Sequence, residues 1–277
     1  MCYSAEAWED YRQYACTFGT DIDIHQFVRL YGDRERDAKI KILKGMDVAF
    51  ADPHTPEERQ IKALIDAFNS AEVTKLEQEA FKQKKRLADA ERTLKAKATK
   101  AATESKRIAT DKIEWALGKL ADIRRTEPKP RDSRIFPGHY PPVMVSEYGN
   151  RVVKPMRYQC RPAGKPAFYD RKYPGTYNAR RDNLEGPWNG QFGYSHGIMV
   201  VNAFYENVSR HKLEGRELAP GEKEENVVLQ FKPTPTQDML VACLWSHWTG
   251  AGESDLLSFT AITDHRRAAG GNRGCGP

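Results

Sequence analysis

The chemistry that asks least of the rest of the chain sits in Met1-Cys2-Tyr3. An initiator methionine before a small residue is commonly trimmed. Trimming here leaves Cys2 with a free α-amine and a thiol on adjacent carbons. Such a 1,2-aminothiol captures an aldehyde: the amine forms an imine, and the thiolate then closes a thiazolidine ring. An α-amine titrates near ~8 and a cysteine near ~8.5, so both nucleophiles are partly available at neutral pH. The same group could act as an N-terminal nucleophile in hydrolysis. Against both stands the commoner state of a cysteine at position 2, inert on a frayed end.

Three further stretches offer chemistry. Tyr177-Asn178-Ala179-Arg180-Arg181 follows a Pro174-Gly175 turn. Residues two apart on an extended segment share a face, so Asn178 and Arg180 together offer donors suited to a phosphate or sugar oxygen. Phe204-Tyr205-Glu206-Asn207 ends the apolar strand predicted over 197–204. A carboxylate desolvated there would suit a general acid or base. Thr260-Ala261-Ile262-Thr263-Asp264-His265 closes the last predicted strand with a histidine, the usual proton shuttle near neutrality. Taken alone, each of these patterns is more often structural.

The elements that must position these residues fall into two grammars. The chain has 277 residues, 39% hydrophobic and 30% charged, which suits a soluble protein of one large or two small domains. Its net charge of +6 is compatible with a polyanionic partner without demanding one. No apolar run approaches the roughly 20 residues of a membrane helix, and Glu6, Trp8, Glu9 and Asp10 are foreign to a signal peptide. The five cysteines form no C-x-x-C pair and no metal-type spacing with histidine. A reducing cytoplasm is expected, with no metal, no cofactor and no membrane contact.

Helix grammar comes first. Residues 3–32 read as a short helical start on the period of Ala5, Trp8, Tyr11, Tyr14 and Ala15. Thr55-Pro56-Glu57-Glu58 reads as a helix N-terminus, with cap, first-turn proline and acids at the positive dipole end. No Gly or Pro occurs from Ala71 to Leu117. Val73, Leu76, Ala80, Gln83, Leu87, Ala90 and Leu94 make one heptad-like seam, and Ala109, Ile113, Ala116, Leu120 and Ile123 a second. The two are out of phase, the break falling within Lys95–Lys106, so a hairpin is favoured over one helix with a stutter. The many Lys and Arg of this block suit a solvated helix face, the commoner use, or contact with phosphates. Self-association through the arm is a further expectation.

Strand grammar follows the proline-rich linker 126–132. Strands are predicted at Pro142–Val145, Arg151–Val153, Gly197–Val200, Asn226–Leu229, Met239–Ala242 and Leu256–Phe259. The expected fold is α+β, an antiparallel β-barrel-like body carrying an inserted, coiled-coil-like helical arm. The expected division is 1–25 for the first piece of the body, 26–125 for the insertion, 126–264 for the β-rich body and 265–277 for an atypical tail.

Met1-Cys2, Asn178-Ala179-Arg180, Phe204-Tyr205-Glu206, Leu244-Trp245 and the strand Phe259–Thr263 occur in an order that resembles the SOS response-associated peptidase family, the abasic-site processing proteins. Tyr140-Pro141-Pro142-Val143 and Met156-Arg157-Tyr158 resemble weaker parts of the pattern. The resemblance covers residues 1–20 and about 130–264, and the helical insertion lies outside the common core. It implies a protein that sheds Met1 by self-processing. Such a protein bonds covalently through Cys2 to the aldehyde of an abasic site in single-stranded DNA, with a β-lyase activity through the imine. It implies Cys2 as nucleophile, Asn178 beside cysteine and sugar, Glu206 as proton carrier and Arg180 at a phosphate. Arg181 and Arg157 would add phosphate contacts, and Trp188 would stack on a base or, as readily, pack in the core or a turn.

One departure matters. The window in which the family carries a further histidine reads Asn272-Arg273-Gly274-Cys275-Gly276 here, and the tail from Arg266 looks truncated or frame-shifted. Capture would then rest on Cys2 and Glu206, with reversal and lyase steps impaired. The alternative reading is a non-catalytic DNA-tethering protein whose active part is the helical arm. A peptidase acting on other proteins ranks last, since no stretch reads as a peptide cleft.

Overall fold

The computed structural model describes residues 4–250, 252 and 254–264. The chain runs through β1 (Ser4–Ala7), α1 (Tyr11–Phe18), β2 (Asp21–Ile22), α2 (Ile24–Arg36) and α3 (Lys44–Ala49) into two long helices, α4 (Pro56–Ala96) and α5 (Lys100–Arg124). It returns through β3 (Arg134–Ile135), β4 (Pro142–Glu147), β5 (Asn150–Pro155) and β6 (Arg157–Tyr158). After α6 (Tyr169–Lys172) and β7 (Asn178–Arg180) come β8 (His196–Ser209), α7 (Arg210–Leu213), β9 (Asn226–Phe231), β10 (Met239–Trp248) and β11 (Leu256–Thr263). The strands join one curled, half-barrel sheet with the central order β2-β5-β4-β8-β10-β11-β6. This is the α+β body with a helical arm that the sequence predicts.

The 14-residue β8 organises the curl. Its first half pairs with β4 and β10, and its second half with β1 and β9. Most pairs are antiparallel, but β6 and β7 run parallel to β11, and β2 runs parallel to β5. Where β8 meets β4, a Cβ on Gly197 would lie 3.1 Å from the Met144 carbonyl oxygen and 3.1 Å from a Val145 methyl. That close approach of backbones is what the glycine permits.

The helical start expected over residues 3–32 is corrected in its first turn. Ser4–Ala7 is a strand, held between β8 and β3, and only from Asp10, which caps α1, does the chain turn helical. The helical period of Ala5, Trp8 and Tyr11 is outweighed by backbone pairing on both edges of β1, a long-range effect that local spacing does not carry.

The helices α1, α2 and α3 pack into the same core as the sheet. Tyr11, Phe27, Phe50 and Ile61 are buried in one cluster with Val143, Met199 and Phe259. The Tyr11 and Phe50 rings stack at 4.9 Å, with Phe27 5.1 Å from Tyr11. Tyr14, fully buried, ties this layer to two strands: its hydroxyl donates to the Pro142 carbonyl at 3.2 Å and accepts from the Val200 N–H at 3.1 Å.

The start of α4 is built as the sequence predicts. Thr55 caps the Glu58 N–H, Glu58 returns the bond to the Thr55 N–H, and Pro56 opens the first turn. The carboxylate of Glu58 also receives the Tyr11 hydroxyl and pairs with Arg12 at 3.0 Å. Burial alone would raise this carboxyl. Hydrogen bonds from Tyr11, the His54 N–H and Arg12 outweigh it and hold it at about 2.

The long helices fold back on each other as a hairpin. The turn is Lys97-Ala98-Thr99, inside the window where the seams lose phase, and Thr99 caps α5 by accepting from the Ala102 N–H at 3.2 Å. Leu76 and Ala80 of α4 bury against Ala116 and Leu120 of α5, with Val73 and Ile123 beside them. Arg124–Glu77 at 2.6 Å and Lys106–Glu91 at 3.1 Å cross between the helices. At 41 residues, α4 is about 60 Å long. Its root is fixed where the Arg34 guanidinium lies 4.4 Å from the centre of the Phe68 ring. The far end of α5 is fixed by Arg125, which meets Asp132 at 2.7 Å while its carbonyl accepts from Lys44 at 3.1 Å.

Two substitutions test this framework. Tyr14→Phe keeps the ring but strips a buried N–H and a buried carbonyl of their partner. A loss of about 1–3 kcal/mol is expected, read as a lower urea midpoint at unchanged slope. Glu58 titrates lower folded than unfolded, so its stabilising effect is present above pH 4.5 and lost as pH falls through about 2. Glu58→Gln should therefore be less stable than the parent at neutral pH. The gap between their melting temperatures should close progressively below pH 4.5.

Candidate functional site

Cys2 lies outside the described residues, as do His265 and the tail 266–277. The site can be built from Ser4 onward. In β1 the pattern Ser-Ala-Glu-Ala alternates polar and small residues, and both edges of the strand are paired. Ser4 is opposite Tyr205, and Glu6 opposite Ala203. The buried Ser4 hydroxyl accepts from Arg134 Nε at 3.1 Å and from its terminal nitrogen at 3.0 Å. The same guanidinium lies 3.8 Å from the centre of the Tyr205 ring.

This group continues along the face that carries Ser4. The Tyr205 hydroxyl donates to the buried Glu6 carboxylate. Gln230 donates to Glu6 at 3.1 Å and to the Tyr205 oxygen at 2.7 Å, and Lys232 stands 3.7 Å from Glu6. Burial and then the neighbouring Glu6 raise the Tyr205 phenol above its ordinary value. Ser4, Glu6, Arg134, Tyr205 and Gln230 thus form a polar cluster around the first described strand of the sheet. Sequence spacing does not reveal it, because its members lie on β1, β3, β8 and β9 and meet only through register. The one local signal is the alternation Ser4-Ala5-Glu6-Ala7, which marks a strand.

Glu206 sits inside β8, half-buried and opposite Leu229 of β9. The expectation that the strand ends at Phe204 is corrected: β8 continues to Ser209 because β9 pairs with it over Phe204–Ser209. Next to Glu206 on the same face, the Phe204 and Phe231 rings stack at 4.8 Å.

Asn178 and Arg180 flank the buried Ala179 on β7, opposite Ala261 and Thr263 of β11. The shared face expected from their spacing is present: Ala179 faces a small core of Cys160, Leu184, Trp188 and Leu244. Arg180 is exposed and engages Asp182 with two bonds, 3.0 Å and 2.6 Å. Arg181 reaches Asp264 at 2.6 Å. These three residues stand together at one end of β11.

Two expected contacts with DNA meet a different environment. Trp188 is only 6% exposed, packed under β7, so its indole cannot stack on a base as placed. Arg157 lies at the other end of β11, opposite Ser258. It is largely buried, donates to the Gln159 carbonyl at 3.2 Å and pairs with Asp170 at 2.8 Å. Asp170 also pairs with Arg161 at 2.6 Å. Burial opposes the charge on Asp170, and the two arginines hold it below the ordinary carboxylate range. Between Arg157 and His196 in the sequence, the exposed large aromatics are Phe168, Tyr173, Phe192 and Tyr194.

Of the described cysteines, Cys160 and Cys243 are buried and Cys16 is exposed. Burial pushes both buried thiols up to about 12. Among the described residues no group of three or more His, Cys, Asp or Glu could hold a metal ion. No helix among them is long and apolar enough to cross a membrane.

No curated protein matches the chain. Two solved structures from Bordetella bronchiseptica show distant similarity. A structural-genomics target is 17% identical over 48% of this chain and 61% of its own, with a TM-score of 0.39. A phage-related protein is 20% identical over 50% of this chain and 59% of its own, with a TM-score of 0.36. The chain thus spans about six tenths of the length of either, and similarity this low carries no argument about function. Residues 90–269, well over half of the chain, match the family model described as SOS response associated peptidase. The match begins inside α4 and takes in β3 to β11, with Asn178, Arg180 and Glu206. The chain therefore belongs to the SOS response associated peptidase family.

Proposed function

We propose that the protein captures abasic sites in single-stranded DNA during the SOS response, through the α-amine and thiol of Cys2. The observation that carries this reading is the placement of β1. Ser4 is buried and locked opposite Tyr205. Backbone geometry confines a residue two positions earlier to within about 7 Å of Ser4. That reach takes in the stretch of β8 around Tyr205, from which Glu206 extends on the opposite face, and this supports the pairing of the two in the reading proposed.

The chemistry follows from the groups available. Hydrolysis of the Met1–Cys2 peptide bond frees the amine, and this self-processing is the peptidase activity. The amine adds to the aldehyde of the ring-opened sugar and water leaves, giving an imine. The thiolate then adds to the imine carbon, the ring nitrogen takes a proton, and a thiazolidine results. Glu206 is the proton carrier in this reading, and Asn178 orients the sugar. Arg180 and Arg181, exposed at the end of β11, face the phosphates. Arg157 and Trp188 support from beneath, the first by fixing β6 to α6 and the second by packing under β7.

Intact mass before and after incubation with a single-stranded oligonucleotide carrying one abasic site tests the reading. The expected result is loss of Met1 and a stable gain of one oligonucleotide less one water. Cys2→Ala should show no gain while still binding undamaged DNA. A folded parent protein that retains Met1, or that forms no adduct, would overturn the proposal. The tethering reading, favoured by the charge on the helical arm, would then take its place.

A further inference from the structure

Charge in this protein is concentrated at one place. Residues 82–107, the outer part of the helical hairpin, contain ten Lys and Arg against three Asp and Glu, a net charge of +7. The other 251 residues contain 34 and 35, a net charge of −1. The positive charge of the whole chain is therefore the charge of the arm's tip.

The three acids of the tip are already engaged. Asp89 pairs with Arg92 at 3.3 Å, Glu91 with Lys106 at 3.1 Å, and Glu104 with Arg107 at 2.5 Å. Lys82, Lys84, Lys85, Lys95, Lys97 and Lys100 are exposed, and none has a carboxylate partner within 4.0 Å among the described residues. Arg86 also lacks one and donates to the Ser105 hydroxyl at 2.9 Å. Lys82, Lys85 and Arg86 line a cleft between the helices together with Thr93, Thr99 and Ser105. Like charges this dense repel each other and stabilise nothing in the fold. A helical scaffold that holds six uncompensated ammonium groups is suited to a polyanion.

We infer that the tip of the helical arm is a second, sequence-blind binding surface for DNA backbone phosphates, remote from the β-rich body. The alternative polyanion is an anionic membrane. A helix that lies on a membrane inserts large apolar side chains beside its cations. Residues 82–107 expose none: the exposed large apolar residues of the arm are Phe81, Trp115 and Leu117, all outside that range. The geometry also fits a nucleic acid. At 1.5 Å per residue, Lys82 stands about 21 Å and Ala96 about 42 Å beyond Phe68, where the arm leaves the body. DNA running from body to tip would span roughly 6–12 base pairs of duplex at 3.4 Å each, or a shorter length of extended single strand. The DNA partner rests on the proposed function, but the tip's contribution does not require Cys2 and can be measured on undamaged DNA.

The test compares the full-length protein with a variant in which all six lysines are changed to Gln, and with a second in which all six are changed to Arg. Affinity for undamaged single-stranded and duplex oligonucleotides, long enough to reach both regions, is measured against salt. The Gln variant should bind at least tenfold more weakly at low salt. Its slope of log affinity against log salt should be shallower by about 4–5, since each of the six phosphate contacts contributes about 0.7–0.9. The Arg variant should bind as the parent does. Which oligonucleotide shows the larger effect identifies the form of DNA that the tip meets. Unchanged affinity and slope in the Gln variant would overturn the inference. So would loss of binding to phosphatidylserine vesicles with DNA binding intact, which would assign the tip to a membrane. Adduct formation at an abasic site, measured on the same proteins, separates the two proposals. An adduct with no effect of Gln sinks the tip alone, and an effect of Gln without any adduct sinks the capture reading alone.

Discussion

The structure depends on four residues that lie between two others' strands. β1 is paired on both edges, to β8 on one side and β3 on the other. Without it the second half of β8 would lose a neighbour, and Ile135 would lose the strand that holds it at the core. The pairing Ala5↔Ile135 also sets how the helical arm can exist. The chain leaves β1 after Ala7, touches the far edge of the sheet at β2, and comes back beside β1 at Arg134. An excursion of any length can be accommodated when its two ends are already neighbours, because the body supplies the closure and further length costs little. The helices α1 to α3 use the first part of that excursion to cover the sheet, and the hairpin uses the rest.

Polar groups do the pinning at the points where the layers meet. Tyr14 bridges strands from below, and Glu58 gathers a phenol, a guanidinium and two backbone N–H groups at the start of α4. Arg125 closes the arm on Asp132. Each is buried or nearly so, where an unsatisfied partner is costly and a satisfied one specifies a single geometry. The cluster of Ser4, Glu6, Arg134, Tyr205 and Gln230 has the same character. It differs in drawing its members from four strands, β1, β3, β8 and β9, so that register alone assembles it.

Much of this was legible in the residues themselves. Thr55, Pro56 and Glu58 announce a helix start, and the loss of phase between Leu94 and Ala109 places the turn that the chain makes at Lys97–Thr99. The short apolar runs at Val143, Val152, Ile198, Val227, Val241 and Leu257 all lie in strands. What stayed hidden depends on register. Nothing local separates Ser4–Ala7 from a helical turn, because its strand character comes from β8, some 200 residues away. Residue type leaves Trp188 open between a base-stacking and a core role and marks Arg157 as a surface group, yet Trp188 fills the core under Ala179 and Arg157 neutralises Asp170. β8 runs past Phe204 only because β9 lies beside it. The pairing of Tyr205 with Glu6 is likewise a product of topology rather than spacing.

The burial of Cys160 and Cys243 has a consequence for how the protein meets oxidants and alkylating agents. Thiols that burial pushes up to about 12 stay protonated at neutral pH, and the thiol is far less nucleophilic than the thiolate. Both sulfurs are also shielded by the strands that bury them. The interior is thus silent towards peroxide and soft electrophiles. Among the described residues, sulfur reactivity is left to Cys16 on the surface of α1. A sheet that sequesters its own cysteines leaves the aminothiol proposed at Cys2 with only Cys16 as a competitor among the described residues.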